Sequence, residues 1–309
     1  MVFGCTGQDG SLISNSLLKK GYEVIGITRS NTPNYQYLKQ LGINQSFEIQ
    51  KIGDENDLFS FQKLIEFHNP IEIYNLSSQS SVGLSFKEPY SSIKSIYHLT
   101  LILLEAIRTI QFKGNIFFAG SSEMFGETKV GADINYPREP LSPYAHAKEA
   151  SFNLVKQYRK YYKINCVTGV LFNHESTLRP DKFVIPKIIK GALQCKKNKN
   201  YKLNLGNIDI ARDWGWAEDY VEAMQIITRA KKKHDHVICT GKLTSLTELI
   251  EKVFKQLDMN WKDHVIIDTK YTRPNDILKS FGSPKALKLE LDWENKKSIE
   301  DIIDLLLKG

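Results

Sequence analysis

A short apolar run, Met1-Val2-Phe3, passes straight into Gly4-Cys5-Thr6-Gly7-Gln8-Asp9-Gly10 and then into the amphipathic stretch Leu12–Lys20. No other feature restricts the fold as strongly. Gly4 permits a tight turn, Gly7 lets the backbone approach a pyrophosphate, and Gly10 allows a helix to pack closely on its strand. The helix N-terminus then presents free N–H groups and the positive end of its dipole to phosphate oxygens. Glycines also serve ordinary turns; the strand before them and the helix after them point to a dinucleotide.

The remainder of the first half repeats this alternation. Met1–Phe3, Glu23–Thr28, Phe47–Lys51, Ile71–Leu76, Asn115–Ala119 and Val167–Leu171 read as strands. Leu12–Lys20, Asp57–Phe67, Ser92–Thr109 and Tyr144–Tyr161 carry helical spacing. Alternating strands and helices predict an α/β fold, a Rossmann-type doubly wound parallel sheet with a smaller C-terminal region. The sheet is expected to end near Phe172, so that residues 1–172 form the dinucleotide-binding domain. Residues 173–309 then supply a substrate-binding region that could cross back to the sheet. There, helices are expected around Phe183–Gln194, Ala217–Ala230, Ser245–Leu257 and Ser298–Leu307, with a strand at Leu203–Leu205.

The end of the second strand selects the dinucleotide. A carboxylate there would bond a free ribose 2′-hydroxyl, but the chain has Arg29 between Thr28 and Ser30. A cation flanked by hydroxyls suits a 2′-phosphate. NADP is the expected cofactor, with NAD and a solvated Arg29 as the alternative.

Ser121-Ser122-Glu123 follows directly on a strand, at the sheet edge where open α/β folds bind ligands. Farther on, Tyr144-Ala145-His146-Ala147-Lys148 opens a helix marked by Ser142-Pro143. The spacing of four brings Tyr144 and Lys148 onto one helical face. An ammonium beside the phenol favours the phenolate and is expected to lower its pKa toward neutrality, as a hydroxyl-deprotonating base requires. Alone, this spacing is common on surface helices. With the glycine loop and the Ser-x-Glu segment it points to redox chemistry on a substrate hydroxyl.

Composition narrows the setting. The 309 residues carry 42 Lys plus Arg against 35 Asp plus Glu, a net charge of +7. The basic clusters at Lys196, Lys197, Lys199 and at Lys231–Lys233 lack interleaved aromatics, so nucleic acid is not an expected partner. A diffuse positive field suits a small anionic substrate. No apolar run approaches the roughly 20 residues of a membrane span, and the first residues carry no basic leader. The four cysteines, Cys5, Cys166, Cys195 and Cys239, show no metal-binding or redox spacing and read as free thiols in a reducing cytoplasm. No metal is expected.

These motifs bear a family resemblance. The chain resembles the extended short-chain dehydrogenases/reductases, and within them the GDP-mannose 4,6-dehydratases. The segments that carry the likeness are Gly4–Ser11, Asn75–Val82, Ser121–Gly126, Ser142–Lys148, Leu171–Ser176, Leu205–Gly215, Asp219–Met224 and Tyr271–Pro274. The resemblance implies catalysis by Ser121, Glu123, Tyr144 and Lys148. It implies that Gly4, Gly7, Gln8, Asp9, Gly10, Arg29, Asp54, Leu76, Ser77, Ser78, Gln79, Ser80, Tyr144, Lys148, His174 and Arg179 hold the cofactor. Ser81, Asn173, Lys187, Arg212 and Arg273 would hold the nucleotide sugar. Epimerases of the superfamily usually have a small or neutral residue at the position of Glu123, which makes that carboxylate informative.

The implied reaction is an internal oxidation and reduction of GDP-mannose, or of a relative such as a GDP-heptose. Tyr144 would deprotonate the carbon-4 hydroxyl, and Glu123 would move protons as water leaves carbons 5 and 6. A GDP-sugar 4-dehydrogenase, reductase or epimerase is the alternative. The resemblance also implies a homodimer paired through Ser92–Thr109 and Tyr144–Tyr161. Ser30 replaces an arginine of the loop that joins dimers into tetramers, leaving the tetramer open. Lys94 and Leu99 depart from the family's asparagine and glycine, and the segment Thr177–Asp181 is shortened.

Overall fold

Successive residues of a strand point to opposite faces of a sheet, and the apolar strand residues divide accordingly. Val2, Tyr74 and Phe117 belong to one buried cluster, while Phe3, Ile73, Ile116 and Phe118 belong to another. A sheet buried on both faces needs helices on both. The computed structural model describes residues 1–53, 57–268, 270 and 276–309.

The strands β1 (Val2–Phe3), β2 (Ile25–Thr28), β3 (Glu48–Lys51), β4 (Glu72–Asn75), β5 (Asn115–Ser121) and β6 (Cys166–Leu171) are parallel. Their helices are α1 (Gln8–Lys19), α2 (Gln36–Gln40), α3 (Leu58–His68), α4 (Val82–Lys87), α5 (Pro89–Ile93), α6 (Leu99–Thr109) and α7 (Pro143–Tyr162). Beyond them come β7 (Asn173–Glu175), α8 (Val184–Lys197), β8 (Leu203–Leu205), β9 (Ala211–Arg212), β10 (Trp214–Trp216), α9 (Ala217–Arg229) and β11 (His236–Ile238). The seven-stranded sheet runs β11-β6-β5-β4-β1-β2-β3. Its order reverses at β1, with β2 on one side and β4 on the other, which opens the crevice where such sheets bind ligands.

The sheet therefore does not end near Phe172. β11 pairs parallel with β6, His236 opposite Gly169 and Ile238 opposite Leu171. With three residues, β11 is too short to show a period in sequence. Its neighbour α9 packs on α1, β5 and β6 and contributes Tyr220, Met224 and Ile227 to the first core cluster. On the other face, Phe61 and Ile65 of α3, Leu103 and Ile107 of α6 and Val155 of α7 fill the second.

The predicted helix Ser92–Thr109 is interrupted. A π-helical turn, Lys94–His98, separates α5 from α6; the turn begins at one of the two departures noted above, Lys94, and ends just before the other, Leu99. The third cluster, built on α8, β8 and the later helices α10 (Leu246–Gln256) and α12 (Ile299–Lys308), includes Ile188, Leu203, Ile250 and Ile303, while α11 (Lys285–Leu291) gives Leu287 to the first. All four cysteines are buried free thiols. Among the described residues, no helix is long and apolar enough to cross a membrane.

Candidate active site

No side chain caps the first turn of α1. Its N-cap, Gly7, is extended and makes no side-chain cap bond, and Gly7, Gln8, Asp9 and Gly10 line a cleft of about 300 Å³. A Cβ on Gly7 would find its nearest neighbour, the Gly4 carbonyl, at 3.5 Å, so the glycine leaves open space toward the cleft. Gly10 behaves differently: its Cβ would lie 2.0 Å from the Gly4 oxygen. Gly4 has φ +78° and would press a Cβ against the Leu76 carbonyl at 2.7 Å. A helix N-terminus without a side-chain cap, its dipole end at the cleft, fits a pyrophosphate.

Asp9 brings a carboxylate to this end of the helix. Burial pushes its pKa up, yet His174, bonded to it at 3.1 Å, brings it down to about 2. His174 is raised in return: burial works against its charge, and Asp9 outweighs burial. Another wall of the cleft belongs to α7. Pro143 occupies its first turn and the Ser142 hydroxyl accepts from the Ala145 N–H at 3.1 Å, which starts the helix just before Tyr144. Tyr144 and Lys148 are 7% and 6% exposed. The Lys148 ammonium donates to the Ser78 hydroxyl at 3.0 Å and to the Ala119 carbonyl at 2.7 Å.

The expected lowering of the phenol is not met. Burial raises Tyr144 to about 12; a hydrogen bond from Ser121 and the Arg179 cation oppose it, and Glu123 adds to it. Burial also lowers Lys148 to about 8. In this apolar setting desolvation outweighs the neighbouring charge.

Ser121 ends β5, and its hydroxyl accepts from the Glu123 N–H at 3.3 Å, opening a 3₁₀ turn that carries Glu123 over the edge. A second cleft of about 540 Å³ begins there, lined by Lys187 and Arg212 together with Leu205, Asn207 and Trp214. Four side chains, Ser81, Glu123, Asn173 and Lys182, line both clefts. Tyr144 and Lys148 line the first, so Glu123 joins the two.

Leu76, Ser78, Ser80, His174 and Arg179 also line the first cleft. Gln79 does not: its amide holds the Ser81 backbone and the Ser92 hydroxyl at 2.9 and 3.0 Å. Arg29 reaches across the end of β4 and donates to the Ser77 carbonyl at 3.0 Å. Asp54 and Arg273, with the rest of Tyr271–Pro274, lie outside the described residues. Lys182 and Lys87, which also line the second cleft, had no motif to single them out. Among the described residues no cluster of His, Cys, Asp and Glu could hold a metal ion.

Residues 1–306 match the protein family described as GDP-mannose 4,6 dehydratase. The chain belongs to the GDP-mannose 4,6-dehydratase family. That membership makes it a nucleotide-sugar 4,6-dehydratase, a hydro-lyase. Among relatives of this family, it is 36% identical over 317 residues to GDP-mannose 4,6 dehydratase 1 of Arabidopsis thaliana, covering 99% of this chain and 88% of that one. To the human GDP-mannose 4,6 dehydratase it is 34% identical, covering 98% of this chain and 88% of the relative. The fold extends beyond the family. A dTDP-glucose 4,6-dehydratase from Streptomyces venezuelae, solved with NAD, superposes at TM-score 0.85 with 19% identity, covering 99% and 94% of the two chains. The UDP-glucose 4-epimerase of Thermus thermophilus, also with NAD, gives 0.84 with 21% identity, covering 99% and 97%.

Proposed function

We propose that the enzyme converts GDP-mannose to its 4-keto-6-deoxy derivative with NADP as a resident cofactor. The observation that carries this reading is the position of Glu123, a carboxylate common to the cleft of Tyr144 and the cleft of Lys187 and Arg212. A carboxylate at that junction reaches a sugar whose nucleotide end lies among the cations and whose ring faces the tyrosine.

In this reading the dinucleotide's phosphates lie on Gly7–Gly10, and Arg29 meets a 2′-phosphate. Residues before 172 hold most of the cofactor and residues after it most of the nucleotide sugar. Ser81 and Glu123 cross one way, His174 and Arg179 the other. Lys187 and Arg212, with Lys87 and Lys182, neutralise the diphosphate. When bound, the oxidised nicotinamide supplies a hydride acceptor and a positive charge beside the phenol.

Ser121 holds the carbon-4 hydroxyl and the Tyr144 phenol together, and Tyr144 takes the hydroxyl proton as the carbon is oxidised. The resulting ketone acidifies the hydrogen on carbon 5. Glu123 removes that proton and gives one to the carbon-6 hydroxyl, which departs as water. Carbon 6 then receives the hydride that left carbon 4, and carbon 5 a proton equivalent to the one Tyr144 removed, so the net change is the loss of one water with no net oxidation and the cofactor stays in place through the cycle. Four buried thiols suit a reducing compartment, the cytoplasm. The chain works as a homodimer paired through α5–α6 and α7, where Tyr90, Ile93, Tyr161 and Tyr162 are exposed.

The test is a mass spectrum of the product from purified protein and GDP-mannose. A sugar nucleotide lighter by one water, formed without stoichiometric consumption of added NADP, is expected; an unchanged mass or a simple 4-oxidation overturns the reading.

A further inference from the structure

The His174 ring is held between two groups that only accept hydrogen bonds. Its Nδ1 lies 2.7 Å from the Phe172 carbonyl oxygen, and its Nε2 lies 3.1 Å from each oxygen of the Asp9 carboxylate. A neutral imidazole carries one N–H and one lone pair, so either tautomer would aim a lone pair at an acceptor. The imidazolium satisfies both contacts.

Further bonds join the same two segments. The Ser176 hydroxyl donates to Gln8 Oε1 at 2.9 Å, and the Gln8 amide reaches the His174 carbonyl at 3.5 Å. Tyr220 of α9 stacks on the imidazole with ring centres 4.7 Å apart. The phosphate loop is thereby tied to β7, which pairs with β10 and runs beside the second cleft.

We propose that His174 is a positioning residue for the cofactor: held as an imidazolium between Asp9 and the Phe172 carbonyl, it fastens β7 to the phosphate loop and cancels the Asp9 charge where the dinucleotide's phosphates lie. This rests on the reading of the first cleft as a dinucleotide site. Without the imidazolium, a bare carboxylate would face the phosphates across the first turn of α1 and offset the attraction of the helix dipole.

The titratable groups facing the ring are Asp9 from α1, Tyr220 from α9, and Glu175 and Arg179 from its own strand and the turn after it; Tyr144 and Lys148 of α7 interact with Asp9. Burial and Arg179 oppose the imidazolium, Asp9 and the Phe172 carbonyl favour it, and the balance raises His174. The assignment explains why a residue acidic enough to repel phosphate stands in a phosphate loop.

The test measures the dissociation constant for NADP, and separately for NAD, by fluorescence or calorimetry without sugar. His174→Gln is expected to weaken binding roughly tenfold. Asp9→Asn combined with His174→Gln is expected to recover most of that loss, because no bare carboxylate remains. A merely structural role gives losses that add, and a double variant no better than His174→Gln overturns the proposal. The imidazole carbon resonances of the wild-type protein supply a readout that needs no variant to fold. His174 should titrate above 6.5, the ordinary histidine value; a midpoint at or below it overturns the proposal. Failure of the wild type to bind either dinucleotide would instead remove the cofactor reading, and this inference with it.

Discussion

The Lys148 ammonium lies 5.8 Å from the centre of the Tyr144 ring while donating to Ser78 and Ala119. One helical turn separates the pair, and two strand ends hold the lysine in place. Below about 8 the lysine is charged and the phenol, at about 12, is protonated. As the pH rises through about 8 the ammonium loses its proton and its field at the active site. The log of kcat/KM in the cofactor-loaded enzyme should therefore bend downward near 8, measured as a pH–rate profile with GDP-mannose.

The same burial bears on stability. Lys148 has a folded pKa of about 8 against an ordinary 10.5, so between those values the unfolded chain binds more protons than the folded one. Stability then rises with pH across that window, and the buried charge is most unfavourable below about 8. Lys148→Met should raise the melting temperature of the cofactor-free protein below pH 8 and abolish turnover. The gain should shrink toward pH 10.5, as thermal melts across the window would register.

Two glycines of the phosphate loop should fail differently. Gly10→Ala places a Cβ 2.0 Å from the Gly4 oxygen and should destabilise the fold by about 3 kcal/mol, read from denaturant unfolding. Gly7→Ala meets nothing closer than 3.5 Å. It should leave the unfolding midpoint nearly unchanged yet weaken NADP binding, because the methyl group enters the space facing the cleft.

Glu123→Gln keeps the shape of the junction and removes the proton carrier. Water loss from GDP-mannose should fall roughly 10²- to 10⁴-fold, with cofactor affinity retained. Product mass and cofactor titration on one preparation check both. A comparable loss of cofactor affinity would mean that Glu123 acts through the cofactor cleft.

Arg29→Ala should weaken NADP binding by roughly tenfold and leave NAD nearly untouched, since only NADP carries the 2′-phosphate. The ratio of the two dissociation constants is the measurement. An equal loss for both would assign Arg29 to holding the Ser77 carbonyl alone.

Much of this architecture was legible because helices of the first half bury one face each and leave a period in the sequence, while the strands, buried on both faces, read as short apolar runs. Val2–Phe3 and the Ile116–Gly120 stretch of β5 are apolar, and α7 announces itself with Ser142-Pro143. Gly7, Gly10, Ser121, Glu123, Tyr144 and Lys148, singled out from separate segments of the sequence, line one cleft. What stayed hidden depends on partners far away in the chain. His236–Ile238 is a strand because β6 is beside it. The raised phenol of Tyr144 follows from burial, which spacing does not reveal. Gln79 stands within a cofactor motif, but its amide is taken up by Ser81 and Ser92.

The Asp213 carboxylate, fully buried, accepts from the backbone of Thr240 and Gly241 at 2.9 Å each and of Gly282 at 3.3 Å. It pins the loop that follows β11 to a stretch some forty residues downstream. The C-terminal half is thus braided into the sheet, and chimeras cut at residue 172 would sever both the edge strand and its anchor. Variation aimed at the substrate side is better confined to side chains that line the second cleft alone, such as Asn207 and Leu246, which leaves that braid intact.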